Sequence, residues 1–465
     1  MLSTLAIVGT VYLAILISIS ISQSRKHKDS KDYLLAGSNL GSFLGLFTFA
    51  ATLFSTFTLL GMPDFFRIHG VGAWIFLAVA DAVMVFGVIW GGYYFRKKAL
   101  TEGYWGMAGF MRRCYGSRLA GLITFFGAFV FLIPYVAIQI RGVAIFLDQA
   151  FPEVLPIWVW ASGMVLIMLL YSEFGGLKAI IYSDTLQGFI LLVVIWIIGI
   201  NCLSETGGME ATFQEVEQRN AALLSTPGPA GLFTFQFLLG SIVAITMIPF
   251  TQPQVSSRLA IMKDHRSLYR TAVGLGVFAI LIILPTLFIG MYGALYYPDA
   301  TTSEFLGSAL LHDQPEVLGA LVLIGLLAAA ISTADSQVFA LGSELRSILR
   351  GEDRRLLRIA KTGIFFFALT ALIFSIFSSD ELVLLARTSF AGTALMAPMI
   401  FTGIFSERPE ELPWLPIATL GAILIFIASQ FQWIPGMISG IRLDLLLLLV
   451  LGAGVLLHLG VKKVT

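Results

Sequence analysis

One apolar stretch carries the chain's most chemically pointed run, Leu327-Ala328-Ala329-Ala330-Ile331-Ser332-Thr333-Ala334-Asp335-Ser336-Gln337. Ala329, Ser332, Thr333 and Ser336 are spaced i, i+3, i+4, i+7, so a helix places them on one face. Asp335 adds a carboxylate, which in a membrane-crossing helix costs roughly 2.5–3.5 kcal/mol on insertion scales and so is expected to face a polar interior. A close-packing face would explain the small residues but not the aspartate. Two further runs crowd hydroxyls, amides, Gly and Pro together. One is Ala50-Ala51-Thr52-Leu53-Phe54-Ser55-Thr56-Phe57-Thr58, then Gly61-Met62-Pro63; the other is Thr246-Met247-Ile248-Pro249-Phe250-Thr251-Gln252-Pro253. Unwound backbone at membrane depth is tolerated only where it lines protein or a cavity. Freed carbonyls and half-helix ends at such breaks can face an ion or a solute.

The elements that must hold these residues follow from composition. Of 465 residues, 57% are hydrophobic and only 12% charged, about half the charged share of a soluble domain, and mean hydropathy is +0.89. So much apolar surface with so little charge excludes a soluble enzyme, a nucleic-acid binder and a disordered regulator. The net charge of +1 gives no reason to expect a polyanionic partner. Cys114 lies in a basic loop and Cys202 in an apolar run, which makes neither a disulfide scaffold nor a Cys-rich metal site. His27, His69, His265, His312 and His458 are isolated. There is no His-Glu-x-x-His, Gly-x-Ser-x-Gly or Gly-x-x-x-x-Gly-Lys pattern, and no enzyme is expected.

A helix needs about 20 mostly apolar residues to cross a bilayer. Thirteen such runs are expected, near 3–22, 40–62, 70–95, 118–148, 154–171, 178–204, 230–252, 270–296, 315–345, 357–377, 381–405, 412–432 and 440–461. The first lacks a basic leader and a cleavage site and reads as a retained helix. Placing the N-terminus outside and the C-terminus in the cytoplasm puts 24 of the 29 Lys and Arg inside, including the segments 96–118, 254–270 and 346–361. Only Arg67, Arg219 and Arg442 fall outside; Arg141 and Arg387 lie within spans. The expected location is the plasma (inner) membrane, multi-pass. The two broken runs are the second and the seventh, five spans apart, the arrangement of two inverted five-helix copies with a binding site near the midplane.

Three stretches resemble the sodium/solute symporter family. They are Asp32-Tyr33-Leu34-Leu35-Ala36-Gly37 leading to Leu60-Gly61-Met62-Pro63; Gly175-Gly176-Leu177-Lys178-Ala179 followed by Ser183-Asp184-Thr185-Leu186-Gln187-Gly188; and residues 329–337. The resemblance implies an all-α integral membrane protein with an inverted-repeat, LeuT-like fold. Residues 1–35 would form a peripheral helix and basic cytoplasmic loop, 36–205 the first five-helix repeat, 206–410 the second, and 411–465 two peripheral helices. It implies sodium-coupled import of a small organic solute by alternating access, with sodium as coupling ion and no organic cofactor. The alternative is a sensor of the same fold that signals to a separate partner. Solute and lipid bilayer are the expected partners, nucleic acid is not, and an oligomer or small accessory subunit stays open.

Carried over residue by residue, the resemblance implies a sodium site from the carbonyls of Ala51, Phe54 and Ala329 and the hydroxyls of Ser332 and Thr333. Neutral oxygens suit a hard, singly charged ion that must also leave. A second site would use Asp184, Ser332, Asp335 and Ser336, with Asp335 standing where a hydroxyl serves elsewhere. That pair could hold a second sodium, share a proton, or be structural. Thr52, Ser55, Thr56, Phe57, Tyr135, Gln139 and Gln252 lie on segments that line the family's central site. Arg141 is the candidate for a substrate carboxylate, against pairing with a protein carboxylate or snorkelling outward. Arg387 and Asp81 read as structural. The sugar-binding branch offers more Asn and Glu near the site, whereas this chain has only Asn39, Asn201 and Asn220; an amino acid or small carboxylate is favoured over a sugar.

Overall fold

The computed structural model describes residues 2–24, 30–378 and 381–464. Arg25, Lys26 and Lys28 of the expected basic loop, and Thr465, lie outside the described residues. Because a bilayer offers no hydrogen bonds, apolar runs must satisfy their own backbone, and helices do so. Six helices are long and apolar enough to cross: Ile75–Glu102, Arg118–Ala150, Gly176–Glu205, His265–Tyr296, Glu316–Ile348 and Asp353–Phe377. Shorter apolar helices cover Gly9–Ile19, Ile157–Leu170, Trp414–Gln430 and Leu443–His458. Large apolar side chains such as Phe86, Trp90, Phe189, Phe366 and Leu456 stay on the outside, as expected of helices solvated by lipid.

Three helix pairs are bent. Ser42–Leu53 meets Phe57–His69 at 56°, and Phe235–Thr251 meets Pro253–Ile261 at 55°. The two breaks share one geometry: Phe54 takes φ −98°, ψ 118° and Gln252 takes φ −102°, ψ 119°, each ending the first half-helix in extended backbone. Pro253 then opens the next half-helix, where its missing N–H costs nothing. The third bend, 43° between Leu382–Ala394 and Ala397–Phe405, falls inside the run 381–405 expected to be continuous; Pro398 in the first turn of the following half-helix accounts for it.

Gly176 (φ 58°) separates the helical stretch beginning at Ile157 from the helix Gly176–Glu205, using a backbone region that L side chains rarely enter. That helix packs against Ser42–Leu53 and against Glu316–Ile348, which in turn packs on Arg118–Ala150. These elements surround the break at residues 54–56. The outer ends of the two broken helices are tied together where Leu40 N donates to Ile261 O (3.0 Å) and Lys263 N donates to Leu40 O (2.8 Å).

The segment 254–270, expected as a cytoplasmic loop, is corrected by the structure. Its first part is the helix Pro253–Ile261, buried throughout, and Arg258 is fully removed from solvent; of the segment's Lys and Arg, the other three, Lys263, Arg266 and Arg270, stand exposed.

Candidate functional site

The helix Glu316–Ile348 is unbroken past residues 329–337, so the i, i+3, i+4, i+7 face survives intact. It meets the first broken helix where that helix loses its hydrogen bonds. The Ser55 amide, which an intact helix would aim at the Ala51 carbonyl, donates instead to Thr58 Oγ1 at 3.1 Å. The freed Ala51 carbonyl accepts from Thr333 Oγ1 at 2.8 Å and lies 3.3 Å from Ser332 Oγ. Ser332 Oγ donates to Asp184 Oδ1 at 2.5 Å. Three chain segments thus bring a carbonyl, two hydroxyls and a carboxylate together, all buried. Phe54 and Ala329 are buried on the same two helices.

On its other side the cluster contains a residue that the sequence reading did not anticipate. Arg258 Nη2 donates to Ser336 Oγ at 2.7 Å and pairs with Asp184 Oδ2 at 3.2 Å; its Nε donates to Thr48 Oγ1 at 2.8 Å, and its Nη1 to Gln254 O at 2.5 Å. Thr48 Oγ1 in turn donates to Asp184 Oδ2 at 2.5 Å. The guanidinium therefore lies among Asp184, Ser336 and Thr48, with Asp335 in electrostatic range. Two of the four residues set down for a second cation or proton site, Asp184 and Ser336, already hold this cation. Its signal in the sequence was Pro253 followed by the apolar residues Val255, Leu259, Ala260 and Ile261, which mark a second half-helix and not a loop.

The residues expected to touch solute divide into three groups. Phe57 and Tyr135 line a central pocket of about 20 Å³ with Phe54, Ile248, Phe390 and Asp81. That is room for a water molecule and no organic solute in this conformation. Tyr135 and Phe390 meet edge to face at 5.1 Å.

Thr52, Ser55, Thr56 and Gln139 are fully buried around the break and shape it. Thr52 Oγ1 donates back to Thr48 O at 2.6 Å, Ser55 Oγ accepts from the Phe57 amide at 3.2 Å, and Gln139 Oε1 accepts from the Thr56 amide at 3.2 Å. Gln252 sits at the second break, its Oε1 accepting from Gln254 Nε2 at 2.6 Å.

Arg141 stands apart. It is half-buried where Gln139 is fully buried, and two residues along a helix it points about 200° away from it. Arg387 pairs with Asp444 at 2.8 Å and bonds Ser241 at 3.2 Å, away from this centre. Asp81, read as structural, lines the same pocket.

A membrane protein that is helical apart from the short hairpin Met437–Ile438/Ile441–Arg442, with matched helix breaks and an oxygen cluster at one of them, has the architecture of an ion-coupled transporter. The chain belongs to the sodium:solute symporter family, which it matches over residues 33–411. The sodium/proline symporter of Escherichia coli (strain K12) is 21% identical over 460 residues, covering 92% of this chain and 90% of that one. The high affinity choline transporter 1 of Homo sapiens is 24% identical, covering 93% and 76%. Among solved structures, a Na+-coupled sialic acid symporter in a substrate-bound outward-open state shares the fold, with a TM-score of 0.80 and 15% identity over 97% of this chain and 96% of that one.

Proposed function

We propose that this chain imports a small organic solute together with sodium by alternating access, and that the Ala51 carbonyl, Ser332 and Thr333 are the sodium ligands, completed by the carbonyls of Phe54 and Ala329. The observation that carries this reading is the Ala51 carbonyl, released by the break and met by both hydroxyls of the facing helix. Sodium bound there would tie the broken helix to the Glu316–Ile348 helix, and with them the pocket wall that begins at Leu53 and Phe54. One charge moving through 100 mV supplies about 2.3 kcal/mol, and each tenfold sodium ratio adds about 1.4 kcal/mol. A single sodium can therefore concentrate a neutral solute on the order of a hundredfold.

Six long spans, three bent pairs and four shorter apolar helices support thirteen crossings of the plasma membrane, with the N-terminus outside. The matching breaks at Phe54 and Gln252 support two inverted repeats, 36–205 and 206–410. Arg258 beside Asp184 and Ser336 supports a single sodium per cycle, a tethered cation standing where a second would go. A pocket walled by rings and aliphatic side chains around the single carboxylate of Asp81 offers few partners for sugar hydroxyls, which favours an amino acid over a sugar.

Uptake into proteoliposomes is the test. Accumulation driven by an inward sodium gradient, and abolished when potassium replaces sodium, is expected; uptake indifferent to sodium overturns the reading.

A further inference from the structure

Asp81 is half-buried, and its surroundings differ from those of the buried carboxylates Asp184, Asp64, Asp444 and Glu344. Asp184 is matched by Arg258, Thr48 and Ser332. Asp64 is matched by Arg67 and Thr302, Asp444 by Arg387, and Glu344 by two backbone amides. Asp81 stands in the first turn of Ala80–Glu102, just after the π-helical turn Ile75–Val79. Among the described residues no hydrogen bond or ion pair engages its carboxylate. It lies on the wall of the central pocket, which has no Lys, Arg or His in its lining.

The other side of that pocket is aromatic. Phe54, Phe57, Tyr135 and Phe390 line it, with Phe57 and Phe390 edge to face at 6.3 Å. A ring face attracts a cation through its quadrupole, most strongly where water is excluded. A carboxylate in a medium of low dielectric favours a nearby positive charge far more than it does in water. Rings on one side and an unmatched carboxylate on the other complement a cation with an apolar surface. A sugar or a simple carboxylic acid would leave Asp81 unmatched, and an acid would face it with like charge.

We propose that the transported solute bears a positively charged nitrogen, a substituted ammonium, which docks between Asp81 and the rings of Phe54, Phe57, Tyr135 and Phe390. The inference rests on the symport reading above and names the substrate class of that site. At about 20 Å³ the pocket is too small for such a solute, so docking requires the rings to separate. Arg141, facing away, leaves this pocket without a built-in cation to compete.

The test compares ligands that differ only in the nitrogen. The melting temperature of the purified full chain is measured in sodium chloride with choline against its uncharged carbon analogue dimethylbutanol, and with proline against cyclopentanecarboxylate. The expected result is stabilisation by at least one nitrogen-bearing member and binding of its carbon partner weaker by on the order of tenfold or more. Asp81→Asn, which keeps the side chain's shape, removes that preference, and Asp81→Glu keeps part of it. Sodium stabilisation of Asp81→Asn shows that the variant is folded. Equal binding of both members of a pair, unchanged affinity in Asp81→Asn, or no stabilisation by either nitrogen compound overturns the proposal. Loss of the sodium response from the unmutated chain is a different failure and removes the symport reading itself.

Discussion

Arg258 Nη2 lies 3.2 Å from Asp184 Oδ2, and both side chains are wholly out of solvent. Removing one partner of such a pair leaves a buried charge unmatched and costs about 3–5 kcal/mol, whereas removing both costs far less. Arg258→Met should therefore lower the melting temperature in potassium chloride, and adding Asp184→Asn should recover much of the loss. Sodium should also stabilise Arg258→Met more than it stabilises the parent, since a free cation can then enter beside Asp184. Additive destabilisation with an unchanged sodium response would contradict both expectations.

Ser332 and Thr333 both contact the Ala51 carbonyl through their hydroxyls, and under the proposed sodium site those oxygens would be the ligands. Thr333→Ala should raise the sodium concentration for half-maximal uptake by about tenfold or more, the equivalent of one lost polar contact of ~1.5 kcal/mol. Thr333→Ser keeps the oxygen and should stay within about threefold of the parent. If the alanine variant loses folding and the serine variant loses sodium affinity, the assignment fails.

Gly142 packs so closely on the break that a Cβ there would sit 2.2 Å from Thr56 Cγ2. Gly142→Ala should cost about 1–3 kcal/mol through overpacking and slow uptake. Thr56→Ser removes the offending methyl, so the double variant should regain stability and rate. Lack of rescue would show that the strain arises elsewhere.

Glu344 accepts the Met107 amide on Oε1 (2.7 Å) and the Ala108 amide on Oε2 (2.6 Å). Glutamine offers one acceptor in place of two, leaving a buried N–H facing an NH2 group. Glu344→Gln should lower stability by about 1–3 kcal/mol, read as a lower melting temperature with sodium affinity unchanged.

The parts of this arrangement that depend on spacing within one segment were legible in the sequence. Ser332, Thr333 and Ser336 share a face because helix periodicity requires it, and Gly, Pro and hydroxyls announced the breaks near Phe54 and Gln252. Arg258 was hidden because Pro253 closes one helix as readily as it opens another, and Gln254, Ser256 and Ser257 read as a polar loop. Asp81 was read only as structural for a different reason: its neighbours along the chain are apolar, and the rings that share its pocket come from other segments. Arg141 shows where periodicity separates the candidates, since it lies two residues from Gln139 and so on another face of the helix.

Unlike its broken partners, the helix Glu316–Ile348 runs 33 residues in one piece. Ser332 at the oxygen cluster and Glu344 at the clasp on Met107 and Ala108 therefore sit on one stiff rod, roughly 18 Å apart along its axis. A tilt of about 10° pivoting at the cluster swings the clasp end by ~3 Å, as long as the bonds that hold it. A shift of the helix at its contact with Ala51 would thus be carried about three turns along one rigid element to the clasp on Met107 and Ala108.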